Sequence, residues 1–192
     1  MTTVSNLNFK ELPEIIDIVV KNGADVFSFA RYCPTSNGKE NSITPIQYRE
    51  LLKICDEKFK AYEAAGCETW FDKKDHLWTL YKYETGEFKI PDDALTGMIY
   101  AGCNCGNSHL TILPDGEIFA CRRVFNSKVG NAFNDDLKEI WLNTMENYRD
   151  YKKFAKCSKC ELLAWCLWLP DGNSAYLQLF ENHKRHLLHC YS

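Results

Sequence analysis

The spacing of the cysteines constrains this chain more than any other feature. Cys105 is followed by ten residues, then Gly116, then four residues, then Cys121. After a gap come Cys157-x2-Cys160-x5-Cys166 and, far downstream, Cys190. Thiolates are soft ligands that select zinc or iron–sulfur centres. A Cys-x2-Cys pair sets two sulfurs at one corner of the chain, ready to grip one metal centre. The remaining ligands then come from distant segments, so the metal also staples a region with little core of its own. Spacing alone leaves the choice of metal open.

The redox setting follows from the same cysteines. Met1-Thr-Thr-Val-Ser-Asn offers neither a basic end nor an apolar core segment of a secretory signal. Ten cysteines without an export signal point to thiols and metals in a reducing cytoplasm rather than to disulfides. The longest apolar runs, such as residues 15–20, are far too short to span a bilayer. A net charge of −3, with no dominant basic patch, gives no reason to expect nucleic acid.

Along the chain, residues 2–4 are β-prone, and Asn8 with Glu11 resembles a capping box ahead of a helix. Leu12, Ile15, Ile16 and Val19 recur at helical spacing, and Gly23 ends the run. Residues 26–30 then read as a buried strand. Such a β-α-β unit implies a parallel pair, and two strands do not make a stable sheet, so this piece belongs to something larger. Thr44 and Pro45 open a long helix whose apolar face carries Leu51, Leu52, Cys55, Phe59 and Tyr62, with Gly66 at its end. Residues 70–89 read as loop plus a short strand. Residues 110–120 read as a hairpin turning at Pro114-Asp115-Gly116. Asn134 and Asp135 are positioned to cap a helix carrying Leu137, Ile140, Trp141 and Met145 and running toward Lys153.

The pattern Cys-x10-Gly-x4-Cys, then Cys-x2-Cys-x5-Cys, closely resembles the SPASM domain of radical S-adenosylmethionine enzymes that modify peptides. The flanking text agrees: Leu113-Pro-Asp-Gly-Glu-Ile-Phe-Ala-Cys121, Val129-Gly-Asn131 and Leu137-Lys-Glu-Ile-Trp141. The resemblance implies an α+β chain, the remnant of a partial (β/α) barrel followed by a cysteine-rich auxiliary iron–sulfur cluster domain. The implied parts are 1–44 (end of the barrel), 45–100 (bridging helix and linker) and 101–192 (cluster domain). Carried over by position, Cys103, Cys105 and Cys121 would hold a first 4Fe–4S cluster. Cys157, Cys160, Cys166 and Cys190 would hold a second. Ser5 and Arg31 are the positions at which contacts to S-adenosylmethionine are expected in a full-length form. A ribosomally made precursor peptide and an electron donor are the implied partners.

Two departures separate the chain from that pattern. No two cysteines are separated by three residues, so the radical-generating Cys-x3-Cys-x2-Cys motif is missing and these 192 residues alone are expected to be inactive. Where the pattern has a further cysteine four residues after Cys166, this chain has Pro170. A zinc-binding structural or interaction module is the alternative, because Cys157-x2-Cys160 followed by His186-x3-Cys190 has a two-plus-two ligand layout. That layout leaves Cys105, Cys121 and Cys166 unexplained. His183, His186 and His189, beside Lys184 and Arg185, otherwise read as a solvated basic helix end. Cys33, Cys55 and Cys67 have no partner at ligand spacing, and Cys55 reads as a core residue.

Overall fold

A computed structural model describes residues 1–32, 38–102, 106–121, 125–150 and 157–166. It divides into two units, one from Met1 to Lys89 and one from Ile90 onward.

In the first unit, strand β1 (Thr2–Val4), helix α1 (Leu12–Lys21) and strand β2 (Val26–Arg31) form the expected β-α-β motif. A third strand, β3 (Trp70–Asp72), completes a parallel sheet of order β1-β2-β3. The register pairs Thr2 with Phe29 and Phe27 with Phe71. Paired residues share a face of the sheet. One face therefore carries Phe27, Phe29, Phe71 and Val4, all buried in one core with Leu12, Ile16, Leu51, Leu52, Cys55 and Phe59. Each such side chain contributes about 1.5–3 kcal/mol on burial. The other face carries Thr3, Ser28, Ala30 and Asp72, with Val26 and Trp70 exposed beside each other.

Helix α2 (Pro45–Ala64) opens as expected. The Thr44 hydroxyl accepts from the Gln47 N–H at 3.2 Å, and the Gln47 side chain accepts from the Thr44 N–H at 2.9 Å. Gly66 takes φ +79°, a left-handed conformation that stops the helix at low cost. Helix α2 packs Tyr48, Leu51, Leu52, Cys55 and Phe59 into the core of the first unit. Its Phe59 stacks on Phe71 with ring centroids 4.2 Å apart.

Two local expectations are corrected. Asn8 does not cap α1, since the residue at the N-cap is Glu11 and makes no side-chain cap. The Asn8 amide instead closes the turn after β1, accepting from the Ser5 N–H at 2.8 Å and donating to the Thr3 carbonyl at 3.0 Å. Residues 77–84, read from the sequence as loop, form helix α3 (Leu77–Glu84), which buries Trp78, Leu80 and Tyr81. Aromatic residues are poor helix formers in isolation. Burial of the apolar side of α3 against the α2 core supplies what propensity lacks.

The second unit centres on an antiparallel sheet of β4 (Thr111–Ile112), β5 (Glu117–Phe119) and β6 (Lys128–Asn131). The β4–β5 turn lies where the sequence places it, with Gly116 at φ +82°. A Cβ there would also strike the Phe133 ring at 2.5 Å. The next helix starts one residue later than expected, at Asp136, whose carboxylate accepts from the Lys138 and Glu139 N–H groups. It runs as α4 (Leu137–Glu139), a π-turn (Ile140–Thr144) and α5 (Glu146–Arg149) rather than as one regular helix. Asp135 is spent elsewhere, accepting from the Asn131 N–H at 2.7 Å. No helix among the described residues is long and apolar enough to cross a membrane.

Candidate metal centre

Cys121 follows β5, next to fully buried Ala120. Ser127, itself buried, ties down the backbone of Cys121. Its Oγ accepts from the Cys121 N–H at 3.1 Å and donates to the Cys121 carbonyl at 2.8 Å. The Ala120 N–H adds a bond to the Ser127 carbonyl at 2.8 Å. Half-buried Cys121 packs against the small core of Ile118, Ala120, Ile140 and Met145.

Cys157 begins a 3₁₀ turn (Cys157–Lys159), and half-buried Cys160 follows it directly. In a 3₁₀ turn, positions three apart eclipse one another. The Cys-x2-Cys pair thus brackets a single tight turn. The Cys160 carbonyl accepts from the Leu163 N–H at 3.1 Å and starts helix α6 (Leu163–Cys166), which ends on the third cysteine. A set of thiolates on a tight turn, a hairpin end and a helix end fits a soft metal or cluster chemically. Cys103, Cys105, His186 and Cys190 lie outside the described residues, as do the side chains of Cys157 and Cys166. Among the described residues, no three His, Cys, Asp or Glu side chains converge as a metal site.

The described segments around the first cysteine group are well anchored. Before it, the Tyr100 and Ala101 N–H groups both donate to the Ala164 carbonyl of α6, at 2.8 and 3.1 Å. The Tyr100 and Trp165 rings stack nearly parallel, 4.9 Å apart. After it, the Gly106 carbonyl accepts from Arg149 Nε at 2.6 Å. The sequence held no signal for these pairings, because they join residues more than forty positions apart.

Ser5 and Arg31 stand at the C-terminal ends of neighbouring parallel strands, where the Tyr32 N–H donates to the Val4 carbonyl at 2.6 Å. The Ser5 hydroxyl accepts from the Leu7 N–H at 3.3 Å. Arg31 makes a 3.0 Å ion pair from Nε to Asp75 Oδ2, lies 3.4 Å from His76 Nε2, and sits over the Tyr48 ring at 5.4 Å. Asp75 also accepts from the Leu77 N–H at 3.0 Å, so one carboxylate both pairs Arg31 and starts α3. Burial works against its ionised form, but the charge and hydrogen bond of Arg31, the nearby His76 and the Leu77 N–H together outweigh this and hold the pKa down to about 2. Burial pushes His76 the other way, down to about 4, so its imidazole is neutral at pH 7. Cys55 is pushed up to about 12, chiefly by burial, and is an inert core thiol.

Residues 103–161 match the model of the SPASM family, an iron–sulfur cluster-binding domain. The crystal structure of Streptococcus suis SuiB is 19% identical with a TM-score of 0.60, covering 86% of this chain and 39% of that one. SuiB bound to S-adenosylmethionine is 23% identical at the same TM-score, covering 86% and 38%. Native anSMEcpe with bound AdoMet and the Cp18Cys peptide is 16% identical with a TM-score of 0.59, covering 97% and 55%. No curated protein matches the chain. The chain thus spans about two fifths to just over half of the length of the solved structures it resembles. It shares the fold of parts of SuiB and anSMEcpe, and its residues 103–161 match the iron–sulfur cluster-binding SPASM domain.

Proposed function

We propose that this chain is the iron–sulfur-cluster-binding C-terminal portion of a radical S-adenosylmethionine/SPASM enzyme that modifies a ribosomally made peptide by a thioether or carbon-centred crosslink. The observation that carries the reading is the SPASM match over residues 103–161, which contains the hairpin cysteine Cys121 and the Cys157–Cys160 turn. In this reading Cys103, Cys105 and Cys121 hold one auxiliary 4Fe–4S cluster, and Cys157, Cys160, Cys166 and Cys190 hold another. Such clusters supply an electron sink or a coordination site for a substrate thiol. Residues 1–44, 45–100 and 101–192 are the barrel end, the bridge and the cluster domain. Ser5 and Arg31, at the C-terminal ends of parallel strands, face the edge where ligands of α/β folds bind. The partners are a cytoplasmic precursor peptide and an electron donor.

Without a Cys-x3-Cys-x2-Cys motif, these 192 residues generate no 5′-deoxyadenosyl radical by themselves. Anaerobic reconstitution with iron and sulfide tests the cluster assignment. The expected result is a broad thiolate-to-iron absorption near about 400 nm. A colourless chain that takes up one zinc through Cys157, Cys160, His186 and Cys190 would overturn it.

A further inference from the structure

We propose that the sheet face of the first unit turned away from α1 and α2 takes an arginine side chain of a partner peptide, with Trp70 stacking on the guanidinium and Asp72 accepting its N–H groups. The proposed function supplies only the kind of partner, a peptide. The site itself is read from residues of β2 and β3.

Strands β1, β2 and β3 run parallel, and parallel sheets are almost always covered on both faces. Helices α1 and α2 cover the face of Val4, Phe27, Phe29 and Phe71. On the opposite face Trp70 is 68% exposed and Val26, its neighbour in the register, 58%. The other residues of this face restrict what can cover it. Thr3, Ser28 and Asp72 alternate onto it. An apolar layer laid there would bury a carboxylate without a counter-charge, which is costly. The covering group must therefore be cationic where it meets Asp72 and flat or apolar where it meets Trp70.

Among the described residues, no hydrogen bond or ion pair engages the Asp72 carboxylate or the Ser28 hydroxyl, although Ser28 is only 9% exposed. Neighbouring cations are committed elsewhere: Lys73 pairs with Asp56 at 2.7 Å and Arg31 with Asp75 at 3.0 Å. Trp70 and Asp72, two positions apart on one strand, stand about 6–7 Å apart, and Ser28 lies about 4.8 Å across from Asp72 in the register. A cation within about 6 Å of the Trp70 ring can thus reach the carboxylate at the same time. A guanidinium suits this corner better than an ammonium. Its plane stacks on the indole, its fork donates to the carboxylate, and donors remain for the Ser28 hydroxyl.

The test uses the full chain and three probes: N-acetyl-arginine amide, the matching lysine amide and the uncharged citrulline amide. Binding is read by NMR from the backbone amide shifts of residues 26–30 and 70–72, and circular dichroism confirms the fold of each variant. The arginine amide is expected to bind about 10-fold more tightly than the citrulline amide, with the lysine amide between them. Asp72→Asn is expected to abolish the preference for arginine over citrulline while leaving citrulline binding unchanged. Trp70→Ala is expected to weaken all three. Equal binding of arginine and lysine amides, or an arginine preference that survives Asp72→Asn, would overturn the inference. The same chain is then reconstituted with iron and sulfide. Arginine binding without iron uptake overturns the cluster reading and leaves this site standing, whereas iron uptake without an arginine preference overturns this site alone.

Discussion

Arg31 Nε lies 3.0 Å from Asp75 Oδ2, with the carboxylate almost fully buried and the guanidinium largely so. The two residues are forty-four positions apart, and their pairing ties the end of β2 to the start of α3. Removing one charge from such a pair strands the other, which costs more than the pair contributes as a unit. Asp75→Asn keeps an oxygen for the Leu77 N–H and isolates the charge effect. It is expected to destabilise the first unit by about 3 kcal/mol, and the Arg31→Met/Asp75→Asn double variant by less. Urea denaturation followed by tryptophan fluorescence measures both.

His76 makes stability depend on pH. Its folded pKa is about 4 against an ordinary 6.5, because burial disfavours the imidazolium and Arg31 reinforces this, against the opposing pull of Asp75. Between those values the unfolded chain binds a proton that the folded chain does not, so stability falls as pH drops from 6.5 toward 4. The full loss amounts to about 3 kcal/mol. Asp75 acts in a lower window: its depressed pKa stabilises above the ordinary carboxylate range and is lost only toward about 2. Denaturation midpoints across the upper window should slope in the parent and flatten in His76→Phe. A parent with a flat profile would rule out a buried neutral His76.

Ser127 is expected to matter to Cys121 through its two bonds to the Cys121 backbone. Ser127→Ala leaves the Cys121 N–H without its 3.1 Å acceptor in a buried setting, a loss of about 1–3 kcal/mol. Iron retention after reconstitution should drop with it, whereas substitution of exposed Asp136 should lower stability without touching iron.

Gly130 lies against the π-turn, and a Cβ there would collide with Ile140 and come within 2.9 Å of Asp135 Oδ2. Ile140 is buried and has little room to give. Gly130→Ala is therefore expected to cost about 1–3 kcal/mol by overpacking. Gly130→Ala combined with Ile140→Val should recover part of the loss, as read from thermal midpoints.

Cys55 should resist alkylation by iodoacetamide in the folded chain, because it is fully buried and its thiol is pushed up to about 12. Mass spectrometry before and after denaturation checks this. Labelling of the native chain at Cys55 would show that α2 opens at its core.

Local signals in the sequence translated directly into structure. Thr44-Pro45 marked the start of α2 and Gly66 its end, because a cap and a left-handed stop are satisfied by neighbours a few residues away. The Pro114-Asp115-Gly116 turn and the β-α-β motif were legible for the same reason. Asn8 misled because its amide had a nearer competitor, the turn after β1. Helix α3 was invisible because its aromatic run has weak helical propensity and forms through burial.

The sequence by itself carried the signal for soft-ligand chemistry, since Cys-x2-Cys spacing is legible without any tertiary contact. It also determined the parallel hand of the first unit. The tertiary structure alone decided that Arg31 is held by Asp75 and His76, and that Trp165 meets Tyr100 and Arg149 meets Gly106. Those partners lie more than forty positions apart. A side chain's own residue type says what it can bind, but the chain's path decides which distant group arrives to be bound.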